Sequence, residues 1–167
     1  IRTKDFSSTK YISVKESIYL PDELLTKYKG YLLQQNDFLL IMVGASIGKY
    51  GLVFKKDLPA LQNQNMWAFR PKVASSLSRS FIMLSMQEHI NRIMGFATGS
   101  AREFFRKEFF LKQHIVIPSS EVIELFGAQI NPMIAQLGTL LTKNENLKKQ
   151  RDMLLPKLIS GQIELKD

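Results

Sequence analysis

From Phe126 onward the apolar residues advance in alternating steps of four and three: Phe126, Ile130, Met133, Leu137, Leu140, Leu147, Leu154 and Leu158. Asn144 and Arg151 take the two seam positions that lack an apolar residue. This is a heptad seam, the pattern of a helix that lies along another helix. A helix from about residue 120 to residue 159 reaches roughly 60 Å at 1.5 Å per residue. That is too long to fold back on one small core, so a second helix should cover the stripe. Polar seam residues cost stability but fix register and partner orientation; alternatively the seam drifts there and leaves Asn144 and Arg151 exposed. Pro132 removes one intrahelical hydrogen bond and predicts a kink near residues 128–131. Gly161 predicts the helix end.

Charge separates this helix from everything before it. The chain has 23 Lys and Arg against 15 Asp and Glu, a formal charge of +8 over 167 residues. Residues 120–167 hold six of each and are neutral, so residues 1–119 carry the whole excess. A basic globular part should meet a polyanion, and a neutral seamed helix should meet protein. The balance of 45% hydrophobic and 23% charged residues is that of a folded chain. Absence of cysteine excludes disulfides and thiolate metal sites and permits a reducing cytoplasm. No apolar run approaches the roughly 18 residues needed to cross a bilayer. The chain opens on Ile1 rather than Met, as a fragment of a longer polypeptide would.

The first 119 residues read as an α+β domain on a small twisted sheet. Phe38–Val43 is a continuous apolar run of strand length, expected to be a buried central strand. Gly44, Gly48 and Gly51 punctuate the following turn, and Gly51–Phe54 and Met66–Arg70 read as further strands. Pro21-Asp22-Glu23 opens a short helix that stops at Gly30. From Ser76 the period changes to 3.6 through Phe81, Leu84, Ile90 and Ile93, with Gly95 as a stop. Residues 106–112 suggest a short helix, Ile115–Ile117 a strand, and Pro118-Ser119-Ser120 a helix start with a hydroxyl cap.

Several motifs bear on chemistry. Gly44-Ala45-Ser46-Ile47-Gly48-Lys49-Tyr50 has three residues between its glycines, where a phosphate loop needs four, and Tyr where that loop needs Ser or Thr. It reads instead as a glycine hairpin that lets backbone and Lys49 approach DNA. Asn131-Pro132-Met133 lacks the second proline and the aromatic of an amino-methyltransferase motif. His89 and His114 have no carboxylate at neighbouring helical or strand spacing and read as packing or surface residues. Gln62-Asn63-Gln64-Asn65 offers amides of the kind that pair with adenine, with Asn63 more suited to pinning its own loop. Thr98-Gly99-Ser100-Ala101-Arg102, with Arg106 and Lys107 beyond it, is a polar tip followed by cations that can fork onto guanine or phosphate. Lys49, Arg102, Arg106 and Lys107 are thus the candidate DNA contacts, with Gln62 and Gln64 as base readers. No catalytic residue, metal ligand or cofactor is expected.

Taken in order, the motifs resemble a known family. They are Gln35-Asn36-Asp37-Phe38-Leu39-Leu40 with Gly44 and Gly48, Leu61-Gln62-Asn63-Gln64, Thr98-Gly99-Ser100, and Leu111–Pro118. The ending Leu154-Leu155-Pro156-Lys157-Leu158-Ile159-Ser160-Gly161-Gln162-Ile163 is the most specific piece. Together they resemble the DNA-specificity (S) subunits of type I restriction–modification systems. The likeness covers nearly the whole chain and implies one target-recognition domain, 1–119, then one spacer helix and short tail, 120–167. It implies recognition of one half of a bipartite site in double-stranded DNA. It also implies docking of methyltransferase subunits and, through them, the restriction subunit, with the chemistry in those partners. A complete S subunit has two recognition domains and two antiparallel helices. This chain has one of each, so the resemblance implies either the C-terminal half of a longer subunit or a half-subunit that works as a dimer. Asn36 stands where the family's motif has Gly.

The rival readings are a dimeric DNA-binding module unrelated to modification, and a nuclease or methyltransferase. The second would need a carboxylate cluster or a cofactor loop, and the sequence offers neither.

Overall fold

The computed structural model describes residues 1–6, 11–14, 18–72, 78–96 and 105–163, with backbone alone at 95–96. The fold is α+β, as the sequence pattern predicts. Among the described residues three strands form one antiparallel sheet in the order β2-β1-β3: β1 is Phe38–Ile41, β2 Tyr50–Leu52 and β3 Met66–Phe69. Four α-helices accompany them among the described residues: α1 Glu23–Lys27, α2 Arg79–Phe96, α3 Lys107–Phe110 and α4 Ser120–Ile159. The chain divides into two compact units, Ile1–Asn131 and Pro132–Asp167. The first turns of α4 therefore belong with the sheet.

The continuous apolar run at β1 follows from burial on both faces. All four of its residues are buried. The register places Phe38 opposite Phe69 and Leu52, and Leu40 opposite Trp67 and Tyr50. Partners across a ladder share a face, so this face is aromatic. The Phe38 and Tyr50 rings stack with centroids 5.1 Å apart, and Phe110 of α3 packs on Trp67 and Phe69 at 5.7 and 5.8 Å. The other face carries Leu39, Ile41 and Met66, closed over by Phe6, Ile12, Leu33 and Val53. Gly51 lies on this second face. A Cβ there would stand 3.2 Å from Ile12 Cγ1 and 3.3 Å from Phe6, so a larger residue would push this layer off the sheet. Burying each of these large side chains contributes about 1.5–3 kcal/mol.

Helix α2 starts where Ser78 Oγ accepts the Phe81 N–H at 3.1 Å, a hydroxyl N-cap. It turns Met83, Met86, Ile90 and Ile93 inward, and Tyr50 Oη donates to Asn91 Oδ1 at 3.3 Å. The 3.6 period of the sequence also runs through Phe81 and Leu84. Those two are half-buried because α2 is covered twice: the start of α4 packs on its other side, with Phe126 edge-on to Phe81 at 6.5 Å.

The expected strand at Ile115–Ile117 does not form. The segment enters no ladder, and Val116 is 87% exposed. Phe110 packs against Trp67 and Phe69, and Ile115 lines the pocket beside it rather than pairing. Helix α4 runs without interruption through Pro132 and Pro156. It ends in a Schellman motif: Gly161 has φ of 71°, its N–H donates to Leu158 O at 3.2 Å, and Gln162 N–H donates to Lys157 O at 2.9 Å.

Candidate nucleic-acid interface

One end of the sheet gathers most of the predicted contacts. Strand β1 runs out at Ile41, turns through residues 42–49 and returns as β2; loop 62–65 enters β3 at Met66, opposite Ile41. The turn is held from inside. Gly48 N–H donates to Ile41 O and Ile41 N–H to Lys49 O, both at 2.9 Å, while Lys49 N–H donates to Ser46 O at 3.1 Å. Met42 N–H donates to Asn65 O at 2.9 Å, fastening the turn to the amide loop. Gly48 has φ of 81°, and a Cβ on it would lie 2.9 Å from Met94 Sδ and 3.2 Å from the Phe105 ring. The glycine therefore lets the turn sit against the end of α2 and against the segment that leads into Arg106 and Lys107.

Lys49, Arg106 and Lys107 are all exposed, and among the described residues no ion pair holds them. Arg102 lies outside the described residues. Gln64 is exposed and Gln62 half-buried. Asn63 has the pinning role the sequence suggested: its Oδ1 accepts the Asn65 N–H at 2.9 Å.

Three carboxylates of the basic part are buried and committed to structure. Each accepts the backbone N–H three residues earlier: Asp5 from Arg2 at 2.7 Å, Asp37 from Gln34 at 2.7 Å, and Asp57 from Phe54 at 2.9 Å. Asp37, 0% exposed, also receives Arg70 at 2.6 Å and Arg79 at 2.9 Å. Arg79 reaches Gln35 O and Gln34 Oε1 as well, tying the start of α2 to the turn before β1. Burial pushes the Asp37 carboxyl up from its ordinary value, while the Gln34 N–H and the two guanidinium groups pull it down. Sequence reading missed this bridge because its partners are 33 and 42 residues away. A carboxylate at the edge of a buried apolar run was the signal available.

His89 is buried, edge-on to Phe110 at 5.8 Å. Arg92 Nη2 stands 3.0 Å from its Nδ1. Since Arg can only donate, Nδ1 is the acceptor and the ring is neutral. Burial and then the Arg92 charge hold its pKa below the ordinary value. This is a packing histidine, as expected; His114 is exposed. Among the described residues no three of His, Asp and Glu come together as a metal site would require.

The seam residues separate by burial. Phe126, Ile130 and Leu137 are half-buried, while Met133, Leu140, Asn144, Leu147, Arg151, Leu154 and Leu158 are exposed. Ile123 and Ile134, which lie off the seam, are buried. Phe126, expected to meet a partner helix, packs on Phe81 of its own domain.

The family model for the type I restriction modification DNA specificity domain matches residues 3–151. The chain belongs to this family. Among its relatives, the specificity subunit of the type I restriction enzyme HindI from Haemophilus influenzae is 25% identical over 118 residues, 70% of this chain and 26% of that protein. The specificity subunit of the type I restriction enzyme MjaVIII from Methanocaldococcus jannaschii is 22% identical over 154 residues, 89% of this chain and 36% of that protein. The chain thus spans about a quarter to a third of the length of these specificity subunits. No solved structure matches it. No helix among the described residues of this specificity-domain chain is long and apolar enough to cross a membrane.

Proposed function

We propose that this chain is one recognition half of a DNA specificity subunit, acting on one part of a bipartite site in double-stranded DNA. The observation that carries the reading is the exposure of Lys49 and Gln64 on two turns fastened to each other by Met42–Asn65, with the exposed Arg106 and Lys107 following Phe105, whose ring lies beside Gly48. Cations at such a rim position a duplex through its phosphates, and the amides reach base edges. Arg102 joins this set as a base reader. The helix brings in a second recognition half, from another copy or from the rest of a longer subunit. The pair seats methyltransferase subunits and, through them, the restriction subunit. The chain itself is non-catalytic, takes no cofactor and works in the cytoplasm.

The test is a titration of labelled duplex DNA against salt. Each phosphate neutralised steepens the fall of log affinity with log salt by about 0.9. Lys49→Gln should weaken every sequence alike and reduce that slope, whereas Arg102→Ala should alter which sequences are preferred. A flat salt dependence would remove the DNA reading.

A further inference from the structure

The turn after α1 sits beside the amide loop and presents two tyrosines with no assigned task. Tyr31 O accepts the Gln62 N–H at 2.9 Å, and Leu32 bridges Leu61 in antiparallel fashion. The backbone at Tyr31 is therefore fixed next to Gln62. Tyr28 and Tyr31 stand edge to face with centroids 6.4 Å apart, yet remain 37% and 49% exposed. Tyrosines in an interior normally bury their rings and satisfy their hydroxyls; these hold each other in place at the surface. Lys27 Nζ lies 5.4 Å from the Tyr28 centroid, and Lys29 is exposed between the two rings in sequence. Gly30 has open space where a side chain would be, so another backbone can come close. The acids of this region, Asp22 and Glu23, lie at the opposite end of α1.

We infer that Lys27, Tyr28, Lys29 and Tyr31 form a second DNA contact, gripping the sugar–phosphate backbone beside the bases that Gln62 and Gln64 face. The inference rests on the DNA reading above. Two ammonium groups and two phenol hydroxyls are donors for phosphate oxygens, and the ring faces suit deoxyribose. A protein partner would favour the tyrosines but not the lysines, which are depleted at protein interfaces. The pairing of both residue types on one turn favours a polyanion. Such a grip carries no sequence information; it fixes where the duplex lies over the amides.

The experiment uses the complete chain and a pool of labelled duplexes of randomised sequence, with binding measured across a salt series. Tyr28→Phe with Tyr31→Phe removes only the hydroxyls. Lys27→Gln with Lys29→Gln removes only the charges. Neither pair touches the core, and matching unfolding midpoints verify this. The tyrosine pair should weaken binding about three- to tenfold, equally for all sequences. The lysine pair should lower the salt slope by about 0.9 for each phosphate no longer neutralised. If both variants bind like the unaltered chain while Lys49→Gln weakens, the second grip is wrong and the DNA reading stands. A change of preferred sequence in the phenylalanine variant would also overturn a backbone grip. If the unaltered chain shows no salt-dependent binding, both readings fall together.

Discussion

At Asn36 the backbone enters the left-handed region, with φ of 66°, and the N–H donates to Val53 O at 2.8 Å. Most L-residues lose about 1–2 kcal/mol there, while Gly is free and Asn tolerates it. This accounts for Asn at a position where the family resemblance implies Gly. Asn36→Gly should leave stability within about 0.5 kcal/mol, and Asn36→Ala should lower it by about 1–2 kcal/mol, read from urea unfolding midpoints. His89 gives a different residue-scale test. Its folded pKa lies below the ordinary 6.5, so below that pH the unfolded chain binds more protons than the folded one. Stability is then greatest above pH 6.5 and falls as the pH drops through 6.5 toward the folded value. His89→Gln keeps an acceptor for Arg92 but cannot titrate. The loss of stability between about pH 7.5 and about pH 5.5 should be smaller in this variant than in the parent. Asp37 is common to both proteins and drops out of the comparison. Equal pH dependence would show that His89 is not the group responsible.

At the scale of elements, the glycine turn is the most constrained piece of the candidate site. Gly48→Ala meets both a positive φ and the Phe105 ring at 3.2 Å, so it should cost about 2–4 kcal/mol in an unfolding titration. Gly44 also has a positive φ, but no atom lies within 4 Å of its Cβ position. Gly44→Ala should therefore cost only the backbone part, about 1–2 kcal/mol. Three strands, the helix from residue 79 and the long helix were legible because each carries its own period or an unbroken apolar run. The segment 115–117 has the same composition as a strand, yet local residues cannot reveal whether a partner edge is open. The inward face of α2 is blurred in the sequence for a related reason. A helix packed on two sides has no clean polar face, so Met83 and Met86 gave no stronger signal than Phe81 and Leu84. Lys49 and Gln64 were legible as turn residues, but the joining of their two turns at one end of the sheet depends on Ile41 lying opposite Met66, a pairing no local pattern contains.

For the whole molecule, charge and apolar pattern differ between the two ends of the chain. The basic excess lies before residue 120, while the column Met133, Leu140, Leu147 and Leu154 is exposed at seven-residue spacing in α4. The other seam column is mixed, since Ile130 and Leu137 are half-buried and Asn144 and Arg151 are exposed. Met133 is 64% exposed while its neighbour Ile134 is 6% exposed, so the face left for a partner is narrower than the sequence period alone suggests. Leu140 and Leu147 are 54% and 63% exposed, and covering a leucine of this kind contributes about 1.5–3 kcal/mol to association. Both can be changed without opening the interior. Leu140→Asp with Leu147→Asp should therefore leave the unfolding midpoint near that of the parent and convert a self-associated chain to monomer in sedimentation. If two copies pair through antiparallel helices, this interface is what joins their recognition halves. The double variant should then lose more affinity for a duplex holding both half-sites than for one holding a single half-site. A parent chain that sediments as a monomer at tens of micromolar would contradict self-association and leave a second recognition half within one longer polypeptide as the partner for this stripe.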